Sequence, residues 1–148
     1  MIPVETLRAL PCFAGVGIES LKAVAAITHE RDYKPGEPLV REGDPAQCLF
    51  IVRHGEVDIL YALQGGETRV VDTVVAGDLL GWSAVMEPYQ ITATCVARDE
   101  VHVLCVDAAG IRKLCEEDHS LGFRLMTKVA LEIKSRLQGA SIQLAAGG

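Results

Sequence analysis

Between residues 31 and 106 the chain is written as short β-rich runs broken by turn signals, and that texture excludes most architectures. The turns are Lys34-Pro35-Gly36, Glu42-Gly43-Asp44-Pro45, His54-Gly55, Gly65-Gly66 and Ala76-Gly77-Asp78. The runs between them cover residues 38–41, 48–53, 57–62, 68–75, 92–97 and 100–106. A turn about every eight to twelve residues, with no room for a helix between, is the pattern of an antiparallel sandwich or barrel. Alternation through Leu49-Phe50-Ile51-Val52 and Val101-His102-Val103-Leu104 predicts that Leu49, Ile51, Val57, Ile59, Val101 and Val103 point inward. Gly65-Gly66 lies between two strand-like runs and is not followed by Lys and Ser or Thr. It reads as a hairpin tip rather than a phosphate loop.

Helical periodicity flanks this region. Leu7, Leu10, Leu21, Val24, Ala25 and Ile27 recur at helical spacing, so residues 4–29 read as one or two short helices separated at Pro11. Ile18-Glu19-Ser20 offers a cap ahead of Leu21. After Val106 the period returns. Asp107 is placed to cap a helix over residues 108–116, and Ser120 to start a longer one to 137, continuing to 144. Along it Met126, Val129, Ile133, Leu137, Ala140 and Leu144 follow three- and four-residue steps, with Lys128, Lys134 and Arg136 off the seam. Such a stripe either packs on the barrel or forms a helix–helix dimer seam.

The expected fold is therefore mainly β with flanking helices. It comprises an N-terminal helical segment (1–30), an antiparallel eight-stranded jelly-roll β-barrel (31–106) and a C-terminal helix pair (107–148), in one domain of 148 residues.

Composition narrows the function. At 49% hydrophobic and 23% charged residues the chain is not a disordered one. No apolar run approaches the roughly 20 residues that cross a bilayer. Residues 1–5 lack a basic region followed by an apolar stretch, so no signal peptide is read and a cytoplasmic location is expected. The five cysteines are odd in number, contain no C-x-x-C pair and sit among apolar neighbours, which suits buried reduced thiols. His29, His54, His102 and His119 show no ligand-like spacing, so no metal is expected.

The formal charge of −6 is uneven. Residues 1–110 carry 8 Lys and Arg against 16 Asp and Glu, a net of −8; residues 111–148 carry 6 against 4, a net of +2. An acidic body repels phosphate backbones, so no direct nucleic-acid binding is expected. Catalysis is not expected either. Glu116-Glu117-Asp118 reads as a solvated helix end, and Cys115 with His119 is a Cys–His pair without an orienting partner.

Several motifs in a fixed order carry a resemblance. Leu7-Arg-Ala-Leu-Pro-Cys-Phe13 is followed by Tyr33-Lys-Pro-Gly-Glu-Pro-Leu39, Glu42-Gly-Asp44 and Leu49-Phe-Ile-Val-Arg-His-Gly-Glu-Val57. Ala76-Gly-Asp-Leu-Leu-Gly81, Asp107-Ala-Ala-Gly-Ile111 and Phe123-Arg-Leu125 come next. Together, over residues 4 to about 138, they resemble the cyclic-nucleotide-binding domain of catabolite-activator-type regulators, protein kinase A regulatory subunits and nucleotide-gated channels. Regulators of that class continue into a helix-turn-helix domain. This chain therefore resembles a free-standing sensor domain, or a sensor cut from something longer.

The resemblance implies a phosphate-binding cassette starting at Gly81. In the family, a glutamate just after the glycine bonds the ribose 2′-hydroxyl. An arginine about ten residues beyond it pairs bidentately with the cyclic phosphate. Here the segment reads Gly81-Trp-Ser-Ala-Val-Met-Glu-Pro-Tyr-Gln-Ile-Thr-Ala-Thr94. Trp82 falls at the glutamate position and Ile91 at the arginine position; a one-residue slip puts Gln90 there, also uncharged. Trp82 either covers apolar surface at the barrel mouth or stacks on a planar ligand. The implied contacts are Gly81, Trp82, Ser83, Ala84, Val85, Gln90, Ile91, Thr92 and Ala93, with Val71, Asp72, Arg98, Arg136 and Ser141 as possible base or phosphate contacts.

The function this implies is non-enzymatic sensing of a small ligand, with cAMP or cGMP bound weakly. The alternative is a pseudo-sensor without nucleotide that serves as a dimerisation or docking module, or as the input domain of a signalling or transcription regulator. A homodimer is expected through the last helix, burying Met126, Val129, Ile133 and Leu137.

Overall fold

A computed structural model describes residues 1–145, the side chains of residues 141–144 apart. The chain opens with α1 (Val4–Arg8), a 3₁₀ turn at Pro11–Phe13 and α2 (Ile18–Ala26). The strands are β1 (Thr28–Tyr33), β2 (Pro38–Val40), β3 (Cys48–His54), β4 (Val57–Ala62), β5 (Thr68–Val74), β6 (Leu79–Leu80), β7 (Thr94–Ala97) and β8 (Val101–Asp107). A 3₁₀ helix, Trp82–Val85, separates β6 from β7, and α3 (Ala108–Glu117) and α4 (His119–Ala145) follow. No described helix is long and apolar enough to cross a membrane.

Eight strands are present, but they form two four-stranded antiparallel sheets, β1-β8-β3-β6 and β2-β7-β4-β5, rather than one closed barrel. The edges explain this. β6 spans two residues and β2 three, too short to carry a ladder from one sheet into the other. Register shifts at Pro38/Val40, Val52/His54 and Ile59/Leu60 add local twist. Between the sheets lies an apolar core of Phe50, Val52, Val57, Ile59, Val74, Val101, Val103 and Cys105.

The inward set expected from alternation holds for Val57, Ile59, Val101 and Val103. Leu49 and Ile51 are fully buried but belong to a second core, with Leu104, Val106, Ile111, Leu121 and Leu125 beneath the helices. Both faces of β3 are covered, one by the other sheet and one by the helical layer. Burial alone therefore does not say which face is which.

At the β3–β4 turn Gly55 has φ +85°, and a Cβ there would stand 2.2 Å from the Glu100 carbonyl oxygen. Only glycine combines that left-handed conformation with that approach.

Three boundaries differ from expectation. Residues 28–29, read as helical, start β1, because Thr28–Tyr33 pairs along β8. The cap of α2 is Gly17, without a side-chain bond, while the Ser20 hydroxyl donates to the Asp118 carboxylate. Asp118 also accepts from the Leu121 N–H at 3.1 Å, so it caps α4 in the role expected of Ser120. Asp107 behaves as expected and accepts from the Gly110 N–H at 2.7 Å.

The seam of α4 divides. Val129 is buried and Ile133 packs against the helical core, whereas Met126 is 38% and Leu137 66% exposed. Steps of four residues rotate by about 40° per turn on a 3.6-residue helix, so a four-step stripe leaves the core-facing side as it proceeds. Phe123, Met126 and Leu137 are left on the exposed side. Leu144 lies outside the described side chains.

Candidate functional site

Gly81, at φ +76°, turns the end of β6 directly into the 3₁₀ helix Trp82–Val85. A Cβ there would approach both the Cys48 carbonyl oxygen and the Phe50 ring to 3.3 Å, so the glycine permits close seating against β3. Arg112 of α3 fastens the other end of this short helix. Its Nη1 donates to the Ala84 carbonyl at 2.6 Å and its guanidinium lies 4.1 Å above the Tyr89 ring. Downstream, the Ile91 N–H donates to the Asp44 carbonyl at 2.8 Å, and the Gly43 N–H to the Ile91 carbonyl at 2.9 Å. The loop from 81 to 93 is thus held at both ends.

It forms one wall of a cavity of about 870 Å³. That wall consists of Gly81, Trp82, Ser83, Ile91, Thr92 and Ala93 and carries no charged side chain. The β4–β5 hairpin supplies Ile59, Tyr61, Arg69, Val71 and Asp72, and α4 supplies Ile133, Arg136, Leu137 and Ala140. The Cys95 thiol lines the cavity too; burial pushes it up to about 12, so it stays neutral.

Arg136 is the buried cation here, its side chain 15% exposed. Nη1 donates to Asp72 Oδ2 at 2.6 Å and Nη2 lies 3.5 Å from Asp78 Oδ2, while Nε is buried with no hydrogen-bond partner among the described residues. One turn earlier, Glu132 accepts the Leu79 N–H at 2.9 Å, and burial raises that carboxyl above its ordinary range. Helix α4 is pinned to β5 and β6 through these two side chains.

Of the residues singled out in the sequence, Gly81, Trp82, Ser83, Ile91, Thr92, Ala93, Val71, Asp72 and Arg136 all line this cavity. Ala84 and Val85 turn into the helical core instead. Gln90 faces the neighbouring turn, donating to the Gly43 carbonyl at 2.9 Å. Arg98 does not reach in, because Glu56 at 3.1 Å and Asp58 at 3.4 Å take its charge at the start of β4. Ser141 lies outside the described side chains. Arg69 was not anticipated, although a two-residue step back from Val71 on a strand leads to it. Burial and then Asp118 push the Cys115 thiol up, against thiolate formation.

A family model described as the cyclic nucleotide-binding domain matches residues 30–118. The chain belongs to that family. Among its relatives is the cyclic AMP receptor protein of Thermus thermophilus, 25% identical over 142 residues that cover 93% of this chain and 62% of that protein. The chain thus spans less than two thirds of that relative's length. A solved structure described as a candidate cyclic nucleotide-binding protein from Geobacter metallireducens matches with a TM-score of 0.82 and 31% identity, covering 93% of this chain and 99% of that one. A regulatory subunit of a cAMP-independent protein kinase A from Trypanosoma brucei shares the fold at a TM-score of 0.75 and 18% identity, covering 98% and 50%. It was solved as a triple mutant bound to cAMP, one of whose changes is threonine to arginine. The present chain has Trp82 and Ile91 on the cavity wall.

Proposed function

We propose that residues 1–148 are one non-enzymatic regulatory domain that senses a small ligand in the cavity beside α4, with weakened or altered cyclic nucleotide binding. The observation that carries this reading is Ile91. It lies on the cavity wall, 5% exposed, and the sequence resemblance aligns it with the family's phosphate-binding arginine. Each charge-assisted hydrogen bond contributes about 1.5–3 kcal/mol. Losing a bidentate pair therefore weakens binding by roughly 10²–10⁴-fold. The Trypanosoma relative supports the reading: a cAMP-independent protein holds cAMP as a mutant that gains an arginine. Calorimetric titration with cAMP and cGMP is the test. Binding far weaker than micromolar is expected. A tight, phosphate-dependent isotherm overturns the reading and assigns the arginine's role to Arg69 or Arg136.

The second reading, a pseudo-sensor that serves for dimerisation or docking, draws support from α4. Phe123 (75% exposed), Met126 and Leu137 form an apolar stripe on its outer side. A second copy of α4 is the occupant we propose. Leu137→Glu, at a position 66% exposed where the stripe borders the cavity, is expected to convert a dimer to a monomer on a sizing column. A wild type that already elutes as a monomer at high concentration removes the dimer.

A further inference from the structure

The two sides of the cavity differ in polarity. The cassette side presents Trp82, Ile91 and Ala93 and no charge. The facing side presents Arg69, Arg136 and Asp72. Asp72 at 2.6 Å and Asp78 at 3.5 Å both hold Arg136, so its charge is taken up. Arg69 is exposed and enters no ion pair among the described residues, so its guanidinium keeps its charge free on this side of the cavity. The Arg136 Nε is a buried donor with no hydrogen-bond partner among the described residues. An unmet buried donor costs free energy until an acceptor reaches it.

Resting on the reading of this cavity as the ligand site, we propose that its ligand is an aromatic or otherwise flat apolar organic acid with a single anionic group. The ligand lies with its apolar body on Trp82 and Ile91 and its anion toward Arg69 and Arg136. This is the reverse of an anion seated at the cassette. A flat apolar body gains contact with the Trp82 indole and the aliphatic wall, where a phosphate would be desolvated without a cation. The Arg69 guanidinium, without a carboxylate partner among the described residues, suits a single anionic group, and a carboxylate or sulfonate supplies acceptors for its N–H groups.

The chain's single tryptophan is Trp82, so its intrinsic fluorescence reports on this cavity alone. Two probes isolate the anion: 8-anilinonaphthalene-1-sulfonate, and N-phenyl-1-naphthylamine, which has the same apolar body without the sulfonate. The sulfonate is expected to quench Trp82 saturably at one per chain, with affinity about 10-fold above that of the amine. Arg69→Ala is expected to bring the two within about 3-fold by weakening the sulfonate only. Arg69 is exposed, so the variant folds. Binding of sulfonate at Phe123 and Met126, which are exposed on α4 away from the cavity lining, would not depend on Arg69. Equal affinities in the wild type, or an unchanged preference in Arg69→Ala, overturn this inference and leave the cavity reading standing. If neither probe nor any cyclic nucleotide quenches Trp82, the cavity is not a ligand site and both fall.

Discussion

Ile91→Arg combined with Trp82→Glu is expected to raise cAMP affinity by about 10²–10⁴-fold, and by more than the two single changes summed. Both side chains line the same cavity, and in the restored pose both would hold one ligand, so their effects are coupled. The backbone frame is already in place. Gly81 seats the short helix against β3, and the Asp44 and Gly43 bonds hold residue 91. An arginine at 91 has about 870 Å³ of cavity to extend into, so overpacking does not oppose it. The aliphatic contacts of Ile91 with the helical core are lost, at a cost of about 1–2 kcal/mol of stability. Calorimetry against cAMP, with a melting curve to show cooperative unfolding, measures both effects. A folded double variant that binds no cAMP would mean that the cavity cannot accept the nucleotide's shape, whatever its charges.

Leu104→Ala is expected to destabilise the domain by about 2–5 kcal/mol, lowering the melting temperature by about 10 °C. Leu104 is fully buried on the helix-facing side of β8, directly across from Ile51, with α3 and α4 above. The strand cannot collapse into the void, because the other face of β8 is packed through Val103 and Cys105 against the second sheet. Leu137→Ala, on an exposed position, is expected to change stability by less than about 0.5 kcal/mol. Thermal unfolding of the two variants side by side checks the contrast. A loss below about 1 kcal/mol for Leu104→Ala would show that the helical layer is not tightly packed on β8.

The turn glycines and the apolar runs between them located β2, β3, β4, β5, β7 and β8 to within about two residues, because strand period and turn conformation are local properties. β1 escaped because Thr-His-Glu-Arg-Asp-Tyr has a polar face; it is a strand because β8 offers it a partner. β6, two residues long, has no period at all. The Ser120 cap failed for a related reason: Asp118 competes for the same N–H groups, and Ser20 reaches it from 98 residues away.

For the cavity, the chain order of the cassette motif was sufficient to single out Gly81, Trp82 and Ile91, since they belong to one short segment. Which cations face them was not readable. Arg98 and Arg136 were equal candidates on paper. Glu56 and Asp58 hold Arg98 outside, whereas Asp72, 64 residues from Arg136 in the chain, draws Arg136 to the cavity wall. The linear sequence determined the periodic elements and the turns, set by interactions between near neighbours, and a segment 81–93 without lysine or arginine. The two-sheet division, the two-sided burial of β3, the splitting of the α4 seam and the charge of the cavity's far wall were decided only by tertiary structure. Each depends on which distant carboxylate, strand or helix face comes within a few ångströms, and no local spacing encodes that.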